Sequence, residues 1–201
     1  MRTLALRHKS RDVRLIGFIF VAACLFTDSV WETAPIVDNA LLLSGIVLIS
    51  VAALLRAWSL LYIAGYKQTY LITQGPFSIC RNPIYLSSIL GLFGLALDTG
   101  TFIYPALALI TFLLYFHTQV KGEEAKLRDL HGDRYLAYCA RTPRLIPNFD
   151  LLDEPTEYVV RPAEFRRWLI DAVWFFWGLG LIQFAEQLHE VGLLPVLVRV
   201  Y

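Results

Sequence analysis

Two short stretches of the chain hold residue types able to bind a small charged molecule. The first reads Gly75-Pro76-Phe77-Ser78-Ile79-Cys80-Arg81-Asn82-Pro83-Ile84-Tyr85, a Gly-Pro turn leading into an Asn-Pro helix start. Asn82 can cap that helix, and Arg81 with the free N–H groups of the first turn makes a site for an anionic group. The plainer alternative is a loop, a helix cap and an interfacial arginine. The second stretch sets Glu123 beside Glu124, continues through Leu127, Gly132, Asp133, Arg134, Tyr135 and Tyr138, and ends in Arg141-Thr142-Pro143-Arg144-Leu145-Ile146-Pro147. Adjacent carboxylates below an apolar helix can receive a cationic ligand; a solvated helix face is the competing reading. A metal site fits poorly. His117, Glu124 and His131 recur every seven residues, but the first and last stand about 21 Å apart along a helix, too far for one ion. The three cysteines, Cys24, Cys80 and Cys139, contain no Cys-x-x-Cys pair and argue against a disulfide framework or thiolate zinc site.

The elements that must carry these stretches are membrane helices. Of the 201 residues, 57% are hydrophobic and 17% charged, against about 45–50% and 25% in soluble domains. Apolar runs lie near 14–31, 40–64, 83–97, 102–120 and 168–188, each close to the length of a transmembrane helix, the third being short. The basic residues before the first run, with Val21-Ala22-Ala23-Cys24, resemble a signal peptide and a lipoprotein cleavage box; Leu25 and Phe26 continue the apolar segment, and it is read as a first span. Thr99-Gly100-Thr101 leaves room only for a tight reversal, and Ser87, Gly91 and Gly94 offer small side chains for close helix packing. Residues 121–130 extend the fourth span as a helix that Gly132 can end, Pro143 and Pro147 prevent another long helix, and 148–162 reads as an acidic, proline-containing linker.

The net charge of +1 excludes a strongly basic nucleic-acid binder, and its distribution is more informative. With a cytoplasmic N-terminus, 17 of the 18 lysines and arginines fall on the inner side and only Arg199 outside; the outer side carries Glu32, Asp38, Asp98 and Glu190. The positive-inside rule then places both stretches in the cytoplasm.

Taken in order, Gly-Pro-Phe-(x)3-Arg-Asn-Pro-Ile-Tyr-Leu-Ser, followed about 35 residues later by Glu-Glu-(x)2-Leu-(x)4-Gly-(x)2-Tyr-(x)2-Tyr-(x)2-Arg-(x)2-Arg-(x)2-Pro, resembles the isoprenylcysteine carboxyl methyltransferase and phospholipid methyltransferase superfamily of membrane enzymes. The resemblance covers roughly 54–147. It implies that S-adenosylmethionine is enclosed at the cytoplasmic face by Gly75, Arg81, Asn82, Pro83, Tyr85, Glu123, Glu124, Leu127, Tyr135 and Tyr138. Asn82 stands where many members have His, as is common among bacterial members, and Ser87 where many have Gly; this weakens any transfer of substrate from the eukaryotic enzymes. The cofactor's chemistry agrees: Glu123 or Glu124 can meet its ammonium, Arg81 or the helix start its carboxylate, and Tyr85, Tyr135 and Tyr138 its adenine or sulfonium.

For the acceptor, Arg141 and Arg144 can hold a carboxylate or lipid phosphate, or else bind headgroups nonspecifically, and Arg56 lies within a span, as a functional residue or one that snorkels. His117 can serve as a general base or an interfacial residue. Asp171, Gln183 and Glu186 on the last span line a lateral opening or, on the favoured account, make helix-to-helix hydrogen bonds and an outer boundary. The sequence therefore predicts a single-domain, all-α, multi-pass protein of the bacterial inner membrane over 1–201, with about five transmembrane helices and a cofactor site formed by 65–85 and 121–147. The expected activity is methyl transfer from S-adenosylmethionine, without a metal, to a lipophilic or small acceptor met among membrane lipids. Carboxyl O-methylation is favoured over lipid N-methylation and thiol S-methylation. The rival readings are an NADPH-dependent membrane reductase of the sterol-reductase type and a non-catalytic membrane scaffold or transporter. The sequence names neither the acceptor atom nor an oligomeric state.

Overall fold

Proline punctuation sets where the helices begin. A computed structural model describes residues 26–29, 34–66 and 70–200; the N-terminal basic stretch, Cys24, Glu32 and all but 26–29 of the expected first span lie outside the described residues. After the short strand β1 (Thr27–Ser29), the elements are α1 (Pro35–Ile63), α2 (Pro76–Ile79), α3 (Pro83–Asp98), α4 (Ile103–His131), α5 (Asp133–Arg141), a 3-10 turn (Phe149–Leu151), α6 (Pro162–Glu190) and strand β2 (Val198–Val200). Prolines in the first turns of α1, α3 and α6 lack an N–H that would have no intrahelical partner there. This is why α1 and α6 start at 35 and 162, before the apolar runs at 40 and 168. Gly132, at φ +52°, ends α4 and begins α5 in a backbone region that favours glycine. The extension of the fourth apolar run through 121–130 and the proline-terminated short helix after it match the sequence expectation.

Among the described residues, α1, α4 and α6, each of 29 residues, are long and apolar enough to cross a membrane. The fourth apolar helix, α3, has 16 residues and reaches only about 24 Å, short of about 30 Å of hydrocarbon. It is placed where that matters little, because it touches α1, α4 and α6. A Cβ added at Gly45 would stand 2.7 Å from the Gly94 carbonyl, and one at Gly91 2.4 Å from the Phe175 ring. These close approaches replace the hydrophobic drive that lipid cannot supply with van der Waals contact. Ser87 is completely buried, and Ile49, Ala52, Leu95 and Phe175 form the core between α1, α3 and α6. Leu43, Val47 and Leu54 of α1, Leu107, Ile110 and Leu114 of α4, and Ile170, Trp177 and Leu181 of α6 are exposed. Apolar surface of this extent belongs against lipid.

At the end of the bundle where α3 meets α4, the reversal is made by Gly100 at φ +64°. Ser29 Oγ donates to the Gly100 carbonyl at 2.6 Å, Tyr104 and Thr27 hydroxyls meet at 2.7 Å, and Gln183 Nε2 donates to Asp98 Oδ1 at 3.0 Å. The Gln183 bond is the helix-to-helix contact favoured from the sequence. Strands β1 and β2 pair in parallel there, Thr27 opposite Val198, adding two short strands to an otherwise helical protein.

Candidate functional site

The opposite end of the bundle holds both chemically interesting stretches. Gly75 sits at φ +58°, and the Tyr62 ring occupies the place a Cβ would take: an added carbon would lie 2.4 Å from Tyr62 Cζ, so both the angle and the space call for glycine. The one-turn α2 follows, with Ser78 Oγ donating back to the Gly75 carbonyl at 2.7 Å. The turn is then held from behind. The Gly75 amide donates to the Asp153 carbonyl (2.8 Å), the Arg81 amide to Pro143 (2.8 Å), and the Asn148 amide to Ile79 (2.9 Å). Residues 148–162, expected to be a plain linker, are therefore partly a strap across the back of this turn.

Asn82 occupies the N-cap position of α3 but makes no side-chain cap bond. Its Nδ2 donates instead to the Arg144 carbonyl at 3.0 Å and toward Glu124 Oε1 at 3.4 Å. The expected cap is thus corrected: Pro83 already removes one first-turn donor, and the amide serves better by joining three segments distant in sequence.

Glu123 and Glu124 are consecutive on α4, about 100° apart around its axis, and so meet different neighbours. Glu123 Oε2 accepts a hydrogen bond from the Tyr85 hydroxyl at 3.0 Å and is half-buried. Glu124 is 8% exposed and enclosed by donors: Arg144 binds it through Nε at 3.2 Å and through a close Nη2 contact, and Arg81 Nη1 lies 3.7 Å from Oε1. A carboxylate this buried requires such compensation, and the planar guanidinium fork of Arg144 suits it. The bond to Glu124 in turn raises the Arg144 pKa above its ordinary value. Arg81 Nη1 also donates to Cys139 Sγ at 2.6 Å, while its Nε is buried without a hydrogen-bond partner.

Helix α5 turns its two tyrosines inward. Tyr138 donates to the Phe77 carbonyl at 2.7 Å, and its ring lies 6.1 Å from that of Tyr135. Burial pushes both phenols well above their usual pKa, aided at Tyr135 by the Glu124 charge. Both remain neutral hydrogen-bonding groups at physiological pH. Burial likewise pushes the Cys80 thiol up to about 11.

These pieces enclose one cavity of about 460 Å³. Arg81, Asn82, Pro83, Tyr85, Glu123, Glu124, Leu127, Tyr135 and Tyr138 line it; Gly75 stands behind its wall, under Tyr62. Phe77 of the Gly-Pro-Phe motif also lines it, and the structure adds residues that the motifs did not indicate: Tyr70, Leu71, Ile72, Gln119, Lys126 and Leu130. Those on α4 were reachable by projection, since 119, 122, 123, 126, 127 and 130 share one helical face with Glu123. Residues 70–72 carry no comparable local signal.

The three arginines expected to serve the acceptor do not line this cavity. Arg144 turns to Glu124. Arg141, exposed at the last residue of α5, borders a separate shallow depression on the far side of Arg81. Arg56 donates to Ser88 Oγ at 3.0 Å and so ties α1 to α3. His117 is exposed on α4 and also stands outside the lining.

The comparisons with known proteins agree with the motifs. The family model described as phospholipid methyltransferase matches residues 36–134, from the first turn of α1 to the start of α5. The cobalt-zinc-cadmium resistance protein CzcN of Cupriavidus metallidurans is 30% identical over 192 residues, covering 96% of this chain and 88% of that relative. The nickel-cobalt-cadmium resistance protein NccN of Alcaligenes xylosoxydans xylosoxydans is likewise 30% identical over 192 residues, covering 96% of this chain and 89% of the relative. No solved structure matches the chain. With the 75–85 stretch and the Glu123–Glu124 pair inside the matched segment and relatives aligned over almost the whole length, the chain belongs to the phospholipid methyltransferase family of membrane proteins.

Proposed function

We propose that the chain is an S-adenosylmethionine-dependent methyltransferase of the bacterial inner membrane, acting on a lipophilic or small acceptor. The observation that carries the reading is the convergence of 81–85 and Glu123–Glu124 on a single cavity at the end of an apolar bundle. The residues fit the group. Glu123, a half-buried carboxylate in the cavity lining that accepts from the Tyr85 hydroxyl, suits an ammonium. The buried, partnerless Nε of Arg81 calls for an acceptor such as a carboxylate. Phe77, Ile84, Leu127 and Leu130 supply apolar surface for a nucleoside, and the Tyr85, Tyr135 and Tyr138 rings suit an adenine or a sulfonium.

When bound, S-adenosylmethionine supplies a sulfonium methyl carbon, whose C–S bond breaks as an acceptor lone pair bonds to it. The chain's part is alignment and exclusion of water. Glu124 assists indirectly, by holding Arg144, Arg81 and Asn82 in register. Apart from the carboxylates, the lining offers no residue suited to take a proton at neutral pH; an acceptor that arrives ionised needs none. This favours carboxyl O-methylation over N-methylation of a lipid amine, which must lose a proton, and over S-methylation of a thiol.

The excess of arginine and lysine on the site side supports a cytoplasmic N-terminus and cytoplasmic cofactor site. The relatives are named for resistance to metal ions. Among the described residues, no group of three or more His, Cys, Asp or Glu is placed to hold an ion.

The test is equilibrium binding of radiolabelled S-adenosylmethionine, and separately of NADPH, to the full chain in nanodiscs. Saturable binding of S-adenosylmethionine that weakens in Arg81→Ala is expected. Binding of NADPH alone would establish the reductase alternative, and binding of neither would leave the scaffold.

A further inference from the structure

We propose that Glu154 is a positioning residue for the cofactor cavity, acting through Tyr62 on the Gly75 turn, and that the strap around it fixes the wall carrying Arg81 and Asn82. The inference rests on the reading of that cavity as a cofactor site. It concerns a segment beyond the family match, which ends at 134.

Glu154 Oε1 accepts two hydrogen bonds, from Trp58 Nε1 and from the Tyr62 hydroxyl, each at 3.1 Å. Trp58 and Tyr62 are four residues apart on α1 and so share one face, and one carboxylate oxygen fixes both. Tyr62 is 5% exposed and lies against Gly75 so closely that no Cβ fits between them. Where Tyr62 sits therefore decides where the turn can sit. The residue before Glu154 grips the same turn through its backbone: the Asp153 carbonyl accepts from the Gly75 amide, and the Asp153 amide donates to Ser78 Oγ at 3.0 Å.

Three further contacts close the strap over the end of α1. Tyr158 packs on Tyr62 with ring centroids 4.4 Å apart and donates to the Tyr62 carbonyl at 2.6 Å. Arg161 donates to the Gly65 carbonyl at 2.8 Å and lies over the Tyr66 ring, 4.5 Å from its centroid. The turn so held ends in Cys80, whose amide donates to the Pro76 carbonyl, and the next two residues are Arg81 and Asn82. A shift of Tyr62 thus displaces the two polar residues that the cavity takes from this wall. Arrangements of this kind are how supporting residues hold binding groups to sub-ångström tolerance.

The experiment compares the full chain with Glu154→Ala, Glu154→Gln and Tyr62→Phe in nanodiscs, by amide hydrogen exchange over 75–82 and by S-adenosylmethionine binding. Gln retains a carbonyl oxygen able to accept both bonds. Glu154→Ala is expected to speed exchange over 75–82 and weaken binding, each by about tenfold, the scale of a lost hydrogen bond to a charged group. Glu154→Gln stays within about twofold of the parent. In the Tyr62→Phe background, Glu154→Ala should cost clearly less than in the parent, because part of its route is already cut. Exchange over 75–82 unchanged in Glu154→Ala, full additivity with Tyr62→Phe, or equal loss in Glu154→Gln would each overturn the proposal. If the parent binds no S-adenosylmethionine, the cofactor reading fails, and the exchange measurements still decide whether Glu154 positions the turn.

Discussion

The two adjacent glutamates should separate cleanly under mutation, although a motif treats them as a unit. Glu124→Ala removes a carboxylate whose side chain is 10% exposed and faces Arg81, itself 15% exposed, and Arg144, 45% exposed. Removing one partner of a fully buried pair costs about 3–5 kcal/mol. Arg144 recovers much of its share by turning to water, as an exposed pair contributes only about 0–1 kcal/mol. Arg81 stays enclosed with its charge uncompensated. The net expectation is a loss of about 2–4 kcal/mol in unfolding free energy. Glu123→Ala, by contrast, removes a carboxylate from a half-buried position, where water replaces the contacts it loses, and should cost only about 1 kcal/mol. Ligand affinity should follow another pattern. Loss of a charge-assisted contact to the ammonium weakens S-adenosylmethionine by about 10- to 150-fold in Glu123→Ala, while the protein stays near parental stability. The assays are reversible unfolding in mixed micelles and equilibrium binding in nanodiscs. Should Glu123→Ala unfold as readily as Glu124→Ala, or Glu124→Ala keep parental stability, the division of roles between the two carboxylates is wrong.

Two other perturbations probe the scaffold. Gly91→Ala drives a methyl group into the Phe175 ring, 2.4 Å away, and should destabilise by about 1–3 kcal/mol through overpacking; a double variant Gly91→Ala/Phe175→Leu that recovers none of the loss in mixed-micelle unfolding would contradict the packing account. In a Cys24→Ser background, Cys80, fully buried with its thiol pushed up to about 11, should resist maleimide at pH 7 while half-buried Cys139 reacts. The folded pKa lies above the ordinary 9.0, so the stability this thiol contributes is fully present below pH 9 and is lost as pH rises through about 11. Labelling of Cys80 at the rate of Cys139 would show that the turn opens.

What the sequence reveals here depends on how local the cause is. The overrun of α4 to His131, the reversal at Gly100 and the close packing of Gly91 and Gly94 arise from nearby composition or from residue size. Asn82 shows where that reasoning stops. An Asn before a Pro-initiated helix has the local signature of a cap, yet a carbonyl 62 residues away takes its amide. Arg144 similarly has no local mark that distinguishes a partner for a buried carboxylate from a ligand for an acceptor. Residues 148–162 look like a linker because they lack periodicity and are acidic. Their hydrogen bonds are long-range, through backbone to 75–81 and through the Glu154 and Tyr158 side chains to α1, and none leaves a repeating pattern.

The position of the cavity follows from a difference in helix length within the α3–α4 hairpin. The two helices run antiparallel across the Gly100 reversal, and the Tyr85 ring meets Phe116 edge-on at 5.9 Å, which fixes their register near the start of α3. Helix α4 is 13 residues longer than α3, so its last turns, from about residue 118, extend roughly 20 Å beyond the point where α3 begins. The α4 residues that line the cavity are Thr118 and those of this overhang as far as Leu130. An overhanging helix without its partner would leave one face uncovered. The Gly75 turn, the 81–83 start of α3 and the inward tyrosines of α5 cover it only in part, and the space left between them is the cavity. Glu123 and Glu124 thus stand where one helix of the hairpin has outrun the other, beyond the apolar stretch and beside the segment that returns with Arg81. A neighbouring pair of acids earlier on α4, alongside α3, would face either lipid or a packed helix and could do neither job.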